Sequence, residues 1–123
     1  MTNAINWFEI PATNFERAVA FYGAVIGQEL RTGEFLGVPH GFFPADERGV
    51  AGAVVAPEDA APGSAGALIY LNAGFELDAM LSRVEPAGGK IETPRTSIGP
   101  QGSFAIFVDS EGNRVGLHEP ASA

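Results

Sequence analysis

The sequence predicts an α+β domain built from two tandem β-α-β-β-β units. Three observations carry that expectation. A short apolar strand followed by an amphipathic helix occurs twice, each helix runs into glycine and then into further β-like runs, and the two sets superpose at a nearly constant offset. Phe8 falls on Ile69 and Ile10 on Leu71 at an offset of 61, Val19 on Leu81 and Gly27 on Gly89 at 62, and Asp46, Gly49 and Val54 on Asp109, Gly112 and Leu117 at 63. Each step is a single residue, as expected of a duplication with small insertions.

Taken in order, Asn6–Ile10 alternates as a strand, with Trp7 and Glu9 on one face and Phe8 and Ile10 on the other. Thr13-Asn14-Phe15-Glu16 fits a capping box in which Thr13 caps the helix and Glu16 reaches back. Phe15, Ala18, Val19, Tyr22 and Ile26 then recur at helical spacing until Gly27. Three β-like runs follow, 29–36, 40–45 and 50–56, separated by Gly37-Val38-Pro39 and by Asp46-Glu47-Arg48-Gly49. Residues 58–66 are small, polar and proline-containing, which reads as a linker between a first unit at about 4–57 and a second at about 67–120 of one domain spanning 1–123. The second unit repeats the order with a strand at 67–72, a helical face of Leu77, Met80, Leu81 and Val84, a stop at Gly88-Gly89, and strands at 90–93, 104–108 and 113–118.

Composition excludes several classes of function. Fifteen acidic and seven basic residues among 123 give a net charge of −8, a field that repels nucleic acid and anionic membranes. The absence of cysteine removes disulfides, thiolate metal sites and thiol nucleophiles. No apolar run approaches the length of a membrane span and no export signal is evident, so a cytoplasmic location is expected.

The duplicated unit, with Glu16-Arg17-Ala18-Val19-Ala20-Phe21-Tyr22 behind the first strand and Asp109-Ser110-Glu111-Gly112-Asn113-Arg114-Val115-Gly116-Leu117 at the end, resembles the vicinal-oxygen-chelate superfamily. That superfamily holds glyoxalases, bleomycin-resistance proteins and extradiol dioxygenases. The resemblance implies that the strands curl into a cup-shaped mixed sheet with helices on the outer face. It also implies a small-molecule ligand in the cup, commonly at a divalent metal, and a homodimer. On their own, Phe21 and Tyr22 read as helix-to-sheet packing, and Asp109 and Gly112 as a turn.

Matched through these motifs, the family's four metal-ligand positions fall on Trp7, Ala53, Leu68 and Gly116. None supplies the oxygen or nitrogen donors that divalent ions require, so no metal cofactor is expected. Displaced donors would have to be Glu9, His118 and His40, with the positive Arg114 close by. The cup-facing set Trp7, Glu9, Val55, Leu68, Tyr70, Asn72, Arg114 and His118 is therefore expected to bind a small aromatic or acyl molecule with an anionic or hydrogen-bonding end near Arg114. This is the mode of bleomycin-resistance members that sequester ligands. Glu9, His118 and Tyr70 are the candidates for acid, base and oxyanion donor if the cup is catalytic. Two other readings stand beside it: a metal-dependent glyoxalase-type lyase, isomerase or dioxygenase using the displaced ligands, and a non-catalytic interaction module whose cup is filled, for instance by a Glu9–Arg114 ion pair.

Overall fold

The computed structural model describes residues 3–122. The first unit contains β1 (Trp7–Pro11), α1 (Phe15–Ile26), β2 (Arg31–Phe35), β3 (Val38–Phe42) and β4 (Ala51–Val55). The second contains β5 (Tyr70–Asn72), α2 (Leu77–Val84), β6 (Lys90–Ser97), β7 (Ser103–Val108) and β8 (Arg114–Glu119). Each unit forms a four-stranded mixed sheet of the same order, β1-β4-β3-β2 and β5-β8-β7-β6, with its first and last strands parallel. The α+β architecture with a repeated β-α-β-β-β order is thus present, and the helices pack against one face of the sheets.

Several local expectations change. Asn14, not Thr13, caps α1: its side chain accepts from the Arg17 N–H at 3.0 Å. The Thr13 hydroxyl donates instead to Glu111, and no hydrogen bond brings Glu16 back to the cap. Gly27 ends the helix as expected, at φ 84° with its N–H on the Gly23 carbonyl. Val38 and Pro39 belong to β3, so the β2–β3 connection is the two-residue turn Leu36-Gly37, both at positive φ (52° and 79°). In the second unit β5 begins only at Tyr70, which leaves Leu68 in the approach to the strand.

The core lies between the sheets and the two helices. Tyr22 sits at its centre, with Phe43 at 5.2 Å and Phe107 at 6.3 Å, residues from opposite units. Phe21 and Val25, which are 1% and 0% exposed, are as deeply buried as Ala18 and Tyr22, whereas Phe15, Val19 and Ile26 are only partly covered. The buried face of α1 is turned in this way because the second unit covers it too. Phe21 packs on Phe107 at 5.8 Å, and a Cβ at Gly89 would meet the Phe21 ring at 2.6 Å.

The turn between β7 and β8 does more than reverse the chain. Asp109, 4% exposed, accepts from the Tyr22 hydroxyl at 2.6 Å, from the Glu111 and Asn113 backbone N–H groups at 2.8 and 2.9 Å, and from Asn113 Nδ2 at 3.0 Å. Burial first, and then the adjacent Asp109 carboxylate, push the Tyr22 hydroxyl well above its ordinary pKa, which keeps it a donor. Asn113 Nδ2 also donates to the Pro11 carbonyl at 2.8 Å, and Asn113 Oδ1 accepts from the Gly63 N–H at 3.1 Å. Glu111 reaches across to the start of α1, accepting from the N–H groups of Thr13 and Asn14 and from Arg17 Nε at 2.6 Å. The hairpin of the second unit therefore clasps the first helix of the other.

Candidate functional site

The faces of the two sheets turned away from the helices carry the residues singled out above. On β1, Phe8 and Ile10 point into the core and leave Trp7 and Glu9 outward, as alternation requires. Trp7 Nε1 donates to Glu9 Oε2 at 3.2 Å, and His40 Nε2 lies 3.8 Å from the same oxygen. His40 Nδ1 is 2.9 Å from the Val38 carbonyl; an oxygen there can only accept, so Nδ1 carries the proton. Around this group stand Phe42, edge-on to Trp7 at 6.4 Å, and Phe35, 5.2 Å from His40. Val55, the strand partner of His40, closes the base and is 7% exposed.

The second sheet holds a separate set. Tyr70 pairs with Gly116, and its ring lies so closely over that residue that a Cβ there would come within 2.3 Å of Tyr70 Cδ1. Phe104 stands 6.2 Å from Tyr70, and a concavity of about 700 Å³ opens between these rings, Asn72, His118, Ile98 and Pro120. His118 Nε2 is 2.7 Å from the Gln101 carbonyl, which fixes the proton on Nε2 and leaves Nδ1 as acceptor in the neutral ring. Asn72 Oδ1 accepts from the Gly74 N–H at 2.8 Å, which leaves its NH₂ group to donate.

Arg114 belongs to neither set. Its Nε donates to Glu92 on β6 at 2.7 Å, so the Glu9–Arg114 ion pair of the alternative, filled-cup reading is not formed among the described residues. The two residues line the same small cleft of about 210 Å³, beside the 61–67 segment. Among the described residues no hydrogen bond or ion pair joins Glu9 to Tyr70 or His118. Sequence alternation placed these residues on the outward face but could not show that they divide between two sheets. Ile98 and Gln101 were not anticipated; they come from the loop between β6 and β7, where spacing carries no face information.

The four positions that the resemblance matches to metal ligands supply few donors. Trp7 offers an indole N–H already donated to Glu9, and Ala53, Leu68 and Gly116 offer nothing. At Gly116 the Tyr70 ring occupies the direction in which a carboxylate side chain would leave the backbone. Glu9 and His40 make a pair, and no group of three or more His, Asp or Glu side chains suited to a metal occurs among the described residues. The donor set does not fit a divalent ion.

A duplicated β-α-β-β-β chain with two open sheet faces is the architecture of a known class, and the model of the glyoxalase/bleomycin resistance protein/dioxygenase superfamily matches residues 4–117. The chain belongs to that superfamily. A glyoxylase-like domain-containing protein of Didymella fabae is 34% identical over 121 residues, covering 89% of this chain and 88% of that protein. Among solved structures, a glyoxalase/bleomycin resistance protein from Albidiferax ferrireducens superposes with a TM-score of 0.76 at 17% identity, covering 95% of this chain and 99% of that one. The genomically encoded fosfomycin resistance protein of Listeria monocytogenes superposes with a TM-score of 0.67 at 14% identity, covering 97% and 92%. At these identities the structural likeness establishes the fold. No helix among the described residues is long and apolar enough to cross a membrane.

Proposed function

We propose that this chain is a cytoplasmic, metal-free binding protein that takes a small aromatic or acyl molecule on the outward face of its second sheet. The single observation that carries the reading is the concavity of about 700 Å³ between Tyr70, Asn72, Phe104 and His118, whose size and mixture of apolar wall with few polar groups suit such a ligand. Tyr70 and Phe104 would sandwich or flank the ring or chain, the Asn72 amide would donate, and His118 Nδ1 would accept. Arg114 already carries the Glu92 carboxylate, so the ligand's polar end is proposed to be hydrogen-bonding rather than anionic. Trp7 and Phe35, 43% and 57% exposed on the first sheet, together with the open strand edges, support a homodimer in which a second copy covers this face.

Thermal-shift and titration screening with small aromatic and acyl compounds is expected to give saturable stabilisation, weakened about tenfold or more by Tyr70→Ala and by His118→Ala, the loss of about one good contact each. Binding indifferent to both substitutions would discard the site. Elemental analysis of untagged protein is expected to find no stoichiometric metal. Nickel, zinc, manganese or iron at one equivalent, lost on Glu9→Ala, would instead establish the metal-dependent reading. Light scattering is expected to return a dimeric mass.

A further inference from the structure

The two units meet along two seams that the internal duplication makes equivalent, and among the described residues only one carries the hairpin clasp. At the closed seam Asn113 of the second unit donates to Pro11, and Glu111 accepts from the Thr13 and Asn14 N–H groups ahead of the neighbouring helix. Under the offset of 63 the counterparts of Asn113 and Glu111 are Val50 and Arg48, and the offset of 61 carries Pro11 to Asn72. Valine has no hydrogen to donate, and Arg48 is exposed and makes no bond across the seam among the described residues. The start of α2 is served within its own unit, where the Leu77 N–H meets Glu119 Oε1 at 3.1 Å. Among the described residues no side chain repeats the Asn113–Pro11 contact at the second position; a separate link between the units runs from Arg83 Nε on α2 to the Val25 carbonyl at 3.1 Å.

A cavity of about 460 Å³ occupies that open seam. Its walls are Phe8, Ile26 and Phe43 on one side and Ile69, Leu71 and Met80 on the other, with Val50 and Ile5 at the rim. Phe8, Ile26 and Ile69 pack on the core yet remain partly open, and all three face this space. It is distinct from the concavity described above, although both touch Tyr70, Leu71 and Asn72: its wall residues Phe8, Ile69 and Leu71 belong to the core side of the sheets, whereas Phe104, His118 and Pro120 line only the outward concavity. Among the described residues no charged residue lines it, and the lining residues with polar side chains are Asn3, Tyr70 and Asn72.

We infer that this unclasped seam is a second ligand site, which takes a neutral, predominantly apolar small molecule. The volume lies within the range of small-molecule sites, about 300–1,000 Å³. The wall offers dispersion contacts and burial of apolar area, and a charged ligand would lose hydration there without gaining a partner. With few polar residues in the lining, a ligand would be held mainly through its apolar surface. The inference does not depend on the ligand of the outward face.

The test uses N-phenyl-1-naphthylamine, a neutral fluorescent probe, titrated into the full chain. A saturable rise in emission is expected. Ile69→Phe, which fills the cavity from its wall, and Val50→Trp, which obstructs it from the half-buried rim, should each weaken binding by at least about tenfold. His118→Ala, which alters only the outward concavity, should change it by less than about twofold. Should Ile69→Phe fail to fold, Val50→Trp decides alone. Absence of saturable binding, affinity retained in Val50→Trp, or affinity lost in His118→Ala would each overturn the assignment, the last because it would put the probe on the outward face.

Discussion

Alanine at Asp109 is expected to lower the unfolding free energy by about 3–5 kcal/mol, a large share of the stability of a domain this size. The carboxylate is 4% exposed and accepts four hydrogen bonds, one of them from the buried Tyr22 hydroxyl. Removing it strands donors that no water can easily reach, and each stranded group costs about 1–3 kcal/mol. Denaturant melts of the single variants and of Asp109→Ala with Tyr22→Phe check the cause. Tyr22→Phe in the wild-type background should cost about 1 kcal/mol, and in the Asp109→Ala background it should cost less or stabilise, because the unpartnered hydroxyl disappears. Purely additive costs would show that the two groups do not depend on each other.

The second large effect is acid sensitivity centred on Glu111. Burial pushes its carboxyl up. Hydrogen bonds from Arg17, the Asn14 N–H and the Ser110 hydroxyl, with the charge of Arg17, outweigh that and hold it at about 2, below the usual 4.5. A folded pKa depressed in this way stabilises the protein above the unfolded value, and that stabilisation is lost as pH falls from about 5 toward about 2. The whole shift would correspond to about 3 kcal/mol, and screening through the half-exposed Arg17 reduces the expected contribution to about 1–2 kcal/mol. Glu111→Gln should therefore lose that amount at neutral pH and show a flatter stability profile between pH 5 and pH 2. A Gln variant with the wild-type profile would mean that other carboxylates govern acid unfolding.

Much of the fold could be read from the chain because its signals are local and occur twice. Helix α1 announces itself through spacing and through Gly27, and the equivalence of Asp46 with Asp109 marks matching hairpins. The capping box misled for a long-range reason: Glu111 supplies the carboxylate expected of Glu16 and takes the Thr13 hydroxyl from it, so Asn14 becomes the cap. Val25, 0% exposed, also belongs to the buried face, and for Phe21 beside it the cover comes from Phe107 of the other unit. Alternation correctly turned Glu9, Tyr70 and His118 outward, but period-two reasoning describes one strand at a time. It cannot say that Glu9 would find His40 on its own sheet, or that Glu92 would take Arg114. Nor could it reveal the contribution of the 98–101 loop.

The clasp also constrains how the chain can be made. The bonds that finish the start of α1 join residues 94 to 98 positions apart, from Thr13, Asn14 and Arg17 to Glu111. During synthesis the first β-α-β-β-β unit leaves the ribosome with those N–H groups and that guanidinium unmet, and with Phe21 lacking its Phe107 contact. Its helix is completed only after Glu111, in the last hairpin of the second unit, has emerged. Although the two units look like copies, the last fastening of the first is held in reserve by the second.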